Sequence, residues 1–159
     1  MSDKTNAARL CDNAGIEYAL IPYETEDDNV DGKSVAKKLG LSEDEIFKTL
    51  VTIGKSGEIY VFVIPVSGEL DLKKAAKASG EKSMHMLPLK ELLPVTGYVK
   101  GGCSPLGMKK NYPTIFDETI ILLDRITFNA GKVGLQLQLK VMDLPEILDY
   151  NIADLIKTS

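Results

Sequence analysis

Fourteen consecutive residues constrain this chain more than any others: Gly97-Tyr98-Val99-Lys100-Gly101-Gly102-Cys103-Ser104-Pro105-Leu106-Gly107-Met108-Lys109-Lys110. They hold four of the 13 glycines, a Ser-Pro pair and three lysines. Glycine lets backbone N–H groups approach a bound group closely, and a residue before proline is pushed out of the helical region. The stretch is therefore a loop. Its lysines suit it to cradle an oxyanion or phosphate, and the same pattern also describes a tight strand connection with solvated lysines. Two specific motifs fail here. Gly102 and Gly107 have the separation of a nucleotide-binding loop, but Met108 stands where the lysine belongs and no Ser or Thr follows Lys109. Ser104 is not a nucleophile elbow, because Leu106 occupies the second glycine position.

A length of 159 residues suits one domain with a real core. No apolar run approaches the ~20 residues of a membrane helix, and the N-terminus Met1-Ser2-Asp3-Lys4-Thr5 lacks the basic start and apolar core of a signal peptide. Cys11 and Cys103 form no disulfide framework. A cytoplasmic protein is expected. The net charge of −4 is unevenly spread. Residues 1–31 carry eight acids against two bases, residues 111–159 seven against four, and residues 32–110 thirteen lysines against eight acids. The middle region suits a polyanion such as RNA while the flanks repel it, so affinity for nucleic acid is weak or borrowed from a partner; lysines on solvated helix faces give the same count.

In chain order, Thr5 caps a helix over Asn6–Ala14 that turns Cys11 inward, and Gly15 ends it. Ile16 to Ile21 reads as a strand stopped by Pro22. Tyr23 then points into a cleft or over the core edge, and Glu24–Asp31 is an acidic loop. A helix follows over Lys33–Leu39. Ser42-Glu43-Asp44-Glu45 has a capping-box pattern that starts another helical turn, and Ile46–Ile53 is a strand. Lys48 shares a strand face with Ile46 and Leu50, where its ammonium either snorkels past the sheet edge or enters a cleft to meet an anion or carbonyl. Ile59–Val66 is apolar on both faces and reads as a central, covered strand. Asp71 caps a helix over Leu72–Ser79, Ser83–Met86 is a strand, and Leu89–Leu93 is a short helix between Pro88 and Pro94. His85, the sole histidine, has no nearby ligand set for zinc and is read as structural or exposed.

Short strands follow at Thr114–Phe116, Ile120–Leu123 and Ile126–Phe128, then a second glycine loop over residues 129–134. Leu135 to Val141 alternates with Gln136, Gln138 and Lys140, giving a strand with one wet face. Asp143 caps a last helix, with Pro145 in its first turn and Glu146 completing the box. These elements predict an α+β fold, a curved mixed, mostly antiparallel sheet or open barrel with surrounding helices.

Three motifs in order, Phe47-Lys48-Thr49-Leu50, the stretch from Gly97 to Lys110, and Gly131-Lys132-Val133-Gly134-Leu135, resemble the YbaK/EbsC family of aminoacyl-tRNA deacylases over nearly the whole chain. The Ser-Pro-Leu-Gly-x-Lys-Lys form is similar to the cysteinyl branch, which clears Cys-tRNA(Pro). The resemblance implies a single editing domain over residues 1–159, with its pocket on the sheet. It implies catalytic roles for Lys48, Gly101 and Gly102, and substrate-binding roles for Tyr23, Ser104, Pro105, Gly131 and Asp143. Asp143 also suffices as a helix cap. It implies no metal or cofactor. Its partners are the acceptor end of aminoacylated tRNA and a prolyl-tRNA synthetase, not DNA or membrane. Two departures bear on tRNA contact or pocket shape: Val133 replaces an arginine, and Asn129 stands where serine is usual.

In that family the substrate assists its own cleavage: the cysteine thiol attacks its ester carbonyl, so the protein only orients the ester and stabilises an oxyanion. N–H groups around Gly101 and Gly102 are the expected donors, and Lys48 the expected positioning cation. Three rivals remain: the same fold acting on another small amino acid such as Ala-tRNA(Pro), a non-catalytic module binding aminoacyl-tRNA or a synthetase, and a small-anion binding domain.

Overall fold

The computed structural model describes residues 4–158; Met1–Asp3, part of the N-terminal reading above, lie outside the described residues. Helix α1 (Asn6–Asn13) starts on Thr5, whose Oγ1 accepts the Ala8 N–H, and buries Ala7, Ala8 and Cys11. Strand β1 (Tyr18–Pro22) leads through the acidic loop to α2 (Gly32–Leu39), capped by Asp31. Then come β2 (Phe47–Gly54), β3 (Ile59–Pro65), α3 (Leu72–Ser79) capped by Asp71, β4 (Met84–Met86) and α4 (Leu89–Thr96). The chain ends with β5 (Thr114–Asp117), β6 (Arg125–Lys132), β7 (Leu135–Lys140) and β8 (Asn151–Ala153).

The strands form two sheets, one ordered β1-β7-β6 and antiparallel, the other ordered β4-β2-β3-β5-β8 and mixed. In the second sheet β3 pairs antiparallel with β2 and parallel with β5. A parallel bridge between Ile46 and Thr127 joins the sheets at one corner. The expected α+β class with a mostly antiparallel, open arrangement is what the chain adopts.

The continuous apolar run of β3 is explained by cover on both faces. Val61 and Val63 enter one core with Phe47, Phe116, Phe128, Leu137 and Leu139 from both sheets. Tyr60, Phe62 and Ile64 alternate to the other side, under Ala75 and Ala76 of α3.

Several local expectations change. Pro22 does not stop β1: it pairs opposite Leu135 on an edge strand, where a missing N–H costs no ladder bond. Ser42–Glu45 closes as a single turn, Glu45 N–H to Ser42 O, and runs straight into β2. Pro94 sits inside α4, which continues because Gly97 N–H reaches Leu93 O and Thr96 Oγ1 reaches Leu92 O; the carbonyl deprived of its donor belongs to exposed Lys90. Ile120–Leu123 is not a strand. A 3-10 turn over Glu118–Leu122 starts there, because Asp117 Oδ2 takes the Thr119 N–H and hydroxyl.

The second glycine loop is shorter than expected. Asn129 Oδ1 accepts the Gly131 and Lys132 N–H groups, so β6 continues through a bulge and only Val133-Gly134 turns. Asp143 caps no helix: it lies within a 3-10 turn over Val141–Glu146, and the chain then adds β8 parallel to β5.

Asp117 locks that last strand in place. The carboxylate is buried, and its Oδ1 accepts the Leu155 N–H while Oδ2 caps the 3-10 turn. Asp117→Ala strands the Leu155 N–H in the core and is expected to cost about 3 kcal/mol in a urea melt, whereas Asp117→Asn keeps part of that stability.

Candidate active site

The site begins with a strand edge left uncovered. Val66 N–H donates to Ile46 O, and Gly54 N–H to Glu58 O, so even-numbered residues of β2 turn their backbone groups toward β3. Leu87 N–H donates to Val51 O, and Thr127 N–H to Glu45 O, so odd-numbered residues turn the other way. On that outer side β4 covers only Thr52–Gly54, and the bridge to β6 closes at Ile46. Thr49, between the two closures, faces no strand. A cleft of about 660 Å³ opens there, lined by every residue from Ile46 to Val51.

The smaller sheet supplies another wall. Asn129 and Ile21 both stand opposite Gln136 in the ladder, so they share its face. Tyr23, two residues beyond Ile21 and joined to Gly134 O by its N–H, falls on that face as well. Tyr23, Gln136 and Asn129 thus form a polar row along the cleft. Tyr23 Oη, Gln136 Oε1 and, from β2, Thr49 Oγ1 are buried with no hydrogen-bond partner among the described residues. All three belong to this cleft. A buried polar atom left unpaired costs about 1–3 kcal/mol, so their gathering among the lining residues of one cleft makes it the candidate site.

Lys48 lines the same cleft, half-buried, and makes no ion pair or side-chain hydrogen bond among the described residues. Burial holds its pKa below the ordinary lysine value; the field of Glu69 opposes that shift and Lys33 adds to it. Of the two placements open to Lys48 in the sequence, the chain adopts the cleft.

Both glycine loops meet behind this wall. Val99–Gly102 is a turn closed by Gly102 N–H to Val99 O at 2.9 Å, with Gly101 at φ +81. The Asn129 amide donates to Gly101 O at 2.9 Å while its oxygen holds the second loop. A Cβ on Gly102 would stand 2.9 Å from Val133 N and 3.2 Å from the Lys132 carbonyl carbon, so only glycine permits this contact. The expected pair of N–H donors is thereby halved: Gly101 lines the cleft, but the Gly102 N–H is committed to its turn.

Tyr23, Lys48 and Gly101 are thus brought together, while Gly102, Ser104, Pro105, Gly131 and Asp143 do not line the cleft. Ser104 is fully buried, its Oγ accepting the Leu106 N–H, and Pro105 is buried beside it. Gly131 packs on the Tyr98 ring, whose hydroxyl donates to Leu106 O. These contacts pack Ser104, Pro105 and Gly131 within the loops. Thr49 and Gln136 were missed. Gln136 alternates with leucines as a solvated residue would, yet it is 6% exposed because its face lines the cleft.

Side-chain nucleophiles are scarce here. Cys103 lines the cleft, but burial pushes its thiol up to about 12, and burial raises Cys11 to about 11. His85 is exposed on β4 and does not line the cleft. Among the described residues no three His, Cys, Asp or Glu side chains are grouped to hold a metal, and no helix is long and apolar enough to cross a membrane.

Two sheets carrying a cleft with a half-buried lysine, flanked by two glycine loops, accompany a match to the aminoacyl-tRNA editing domain. The family model for that domain matches residues 29–147, and the chain belongs to this family, the YbaK/EbsC group its loops resemble. It is 46% identical over 136 residues to the Enterococcus faecalis protein named "Putative Cys-tRNA(Pro)/Cys-tRNA(Cys) deacylase EbsC", covering 86% of this chain and 83% of that one. The fold also matches solved structures. One, the hypothetical protein APE2540, has a TM-score of 0.86 at 22% identity over 96% of this chain and all of the other. Another, titled as "a putative trans-editing enzyme for prolyl tRNA synthetase", has a TM-score of 0.83 at 22% identity, covering 97% and 99%.

Two outcomes follow from this geometry. Iodoacetamide at pH 8 should leave both thiols of the folded protein unmodified, and modify both in urea, as read by intact mass. Asn129→Ala should free the Gly101 carbonyl and both loops, seen as faster amide exchange over residues 99–103 and 129–134 and a loss of about 1–2 kcal/mol in stability.

Proposed function

We propose that this chain is a trans-editing deacylase that removes cysteine from Cys-tRNA(Pro), acting as one domain beside a prolyl-tRNA synthetase in the cytoplasm. The observation that carries this reading is a single cleft holding the unpaired Lys48 ammonium, three unpartnered buried oxygens and no nucleophile–base pair. Such a cleft binds and orients well, and attacks poorly. The name of the 46% identical relative supplies the substrate class.

The nucleophile then comes from the substrate. The cysteine thiol attacks its own ester carbonyl: a C–S bond forms, the bond to the ribose 3′ oxygen breaks, and the thiol proton ends on that oxygen. The products are a thiolactone and tRNA with a free 3′ hydroxyl. Holding thiol and carbonyl in attack geometry is worth several kcal/mol, and one backbone donor such as the Gly101 N–H about 3 kcal/mol. Lys48 positions the ester or the terminal nucleotide by its charge. One observation favours a second reading: the lowered Lys48 pKa also suits a lysine that directs water onto an alanyl ester.

Lys48 is also a stability cost. With its folded pKa below the unfolded value of 10.5, the unfolded chain binds this proton more tightly, so stability rises with pH between the depressed value and 10.5 and is penalised below that window. Lys48→Met should therefore raise the melting temperature at pH 7 by about 2 °C while cutting deacylation at least about 100-fold. Release of tRNA from Cys-tRNA(Pro) and Ala-tRNA(Pro), with wild type and Lys48→Met in parallel, tests the reading. Loss of the cysteinyl ester alone supports it. Loss of the alanyl ester alone moves the assignment to the second reading, and loss of neither leaves a binding module.

A further inference from the structure

One lip of the cleft is the acidic loop between β1 and α2, and a single lysine holds it. Lys38 Nζ donates to Glu24 O at 2.7 Å, Asp27 Oδ1 at 2.8 Å and Asn29 O at 2.8 Å, using all three ammonium protons. Asp27 Oδ1 also accepts the Asn29 N–H, and the Asp28 N–H donates to Thr25 O. The loop so fixed turns at Asp28, whose φ of +60° is the only left-handed value at a non-glycine among the described residues. It rests against both glycine loops, with Val30 beside Gly101 and Thr25 beside Gly134.

Asp28, Val30 and Asp31 from this loop line the cleft. The two carboxylates are not equivalent. Asp31 is spent on α2, its Oδ1 accepting the Ser34 N–H and its Oδ2 the Ser34 hydroxyl. Asp28 is exposed at the rim of the cleft, and its carboxylate enters no hydrogen bond or ion pair among the described residues, so it is free to receive a group bound there.

A second, independent feature lies in the same cleft. Gln136 is 6% exposed, and its Oε1 has no donor among the described residues. An amide oxygen and a carboxylate are acceptors only, so the group that suits both carries N–H donors and a positive charge. Lys48 gives the cleft a cation as well, which suits a carbonyl or phosphate oxygen. A molecule with an ammonium one carbon from an ester carbonyl satisfies both demands, and a free aminoacyl ester is such a molecule.

We propose that the cleft selects aminoacyl esters with a free α-amino group, Asp28 and Gln136 receiving the ammonium, and rejects N-acylated esters. The inference rests on the deacylase reading and names the form of substrate that the site takes. N-acylation removes the charge and two of three donors and adds bulk against a lip that Lys38 holds in place. Formyl- and peptidyl-esters are thereby spared.

Titration calorimetry on the full chain tests this without turnover, using amide-linked 3′-deoxy-3′-(cysteinylamino)adenosine and its N-acetyl form as probes. Wild type should bind the free amine about tenfold more tightly than the N-acetyl form. Asp28→Asn tolerates the left-handed backbone, keeps the melting temperature, and should abolish the preference by weakening the amine alone. Gln136→Leu should weaken the amine as well. Equal affinities in wild type, a preference that survives in Asp28→Asn, or no binding of the amine overturns the inference. Cys-tRNA(Pro) turnover by the same preparation reports on the deacylase reading separately. Turnover with equal affinities overturns the inference alone; selective binding without turnover supports it and overturns the deacylase reading.

Discussion

The uncovered edge of β2 is the constraint on which the rest of this molecule depends. A strand interior to a sheet normally satisfies both edges, and an unpaired edge buried in protein is costly. Here β4 stops at Thr52 and the bridge to β6 begins at Ile46, so the edge between them opens into the cleft. The two sheets diverge from that corner, which is why the arrangement stays open rather than closing into a barrel. Because the cleft follows a strand edge, consecutive residues line it, and Lys48 and Thr49 contribute although strand geometry points them to opposite faces.

What surrounds that edge is held by few, well-placed polar groups. Asn129 uses both ends of its amide: the nitrogen fixes Gly101 O, and the oxygen replaces ladder partners for Gly131 and Lys132. Lys38 does the same for the acidic loop with three donors. Both residues spend their polar atoms on other parts of the chain, mostly backbone, and so set the shape of the cleft. The Asn129 contact gives physical meaning to an asparagine at this position. A serine hydroxyl is too short to span both loops in this way, so the relative placement of the glycine loops is coupled here to one side chain.

Much of this was legible in the sequence, for identifiable reasons. The helices at α1 and α3 were marked by Thr5 and Asp71 at their starts and by glycines after their ends, signals that act locally, whereas the Asp31 cap of α2 emerges only in the structure. The run Ile59–Val66 announced a covered central strand because burial on both faces leaves no polar position. Failures came where tertiary context overrides local signal. The apolar run Ile120–Leu123 has strand propensity, but a buried Asp117 forces a 3-10 turn. Pro145 and Glu146 gave Asp143 a capping pattern, yet the segment makes only a 3-10 turn before β8 pairs with β5. For the site, Lys48, Tyr23 and Gly101 were marked by pattern and resemblance. Gln136 was not, because alternation fixes which residues share a face, never whether that face meets solvent or a cleft.

Charge is unevenly distributed around the cleft. The acidic loop on one lip disfavours phosphate, whereas Lys100 lines the cleft and the lysines of the glycine stretch are exposed. Lys48 lies within the cleft, where burial weakens its hold on its proton but strengthens its field on whatever is bound. A half-buried ammonium without a partner is a poor choice for stability. It becomes a good one if an ester oxygen or phosphate completes it, and the three unpartnered oxygens nearby repeat the same logic. The fold carries these unmet demands in one place, and a ligand that meets them together gains affinity that a stable, fully paired cleft would have no means to offer.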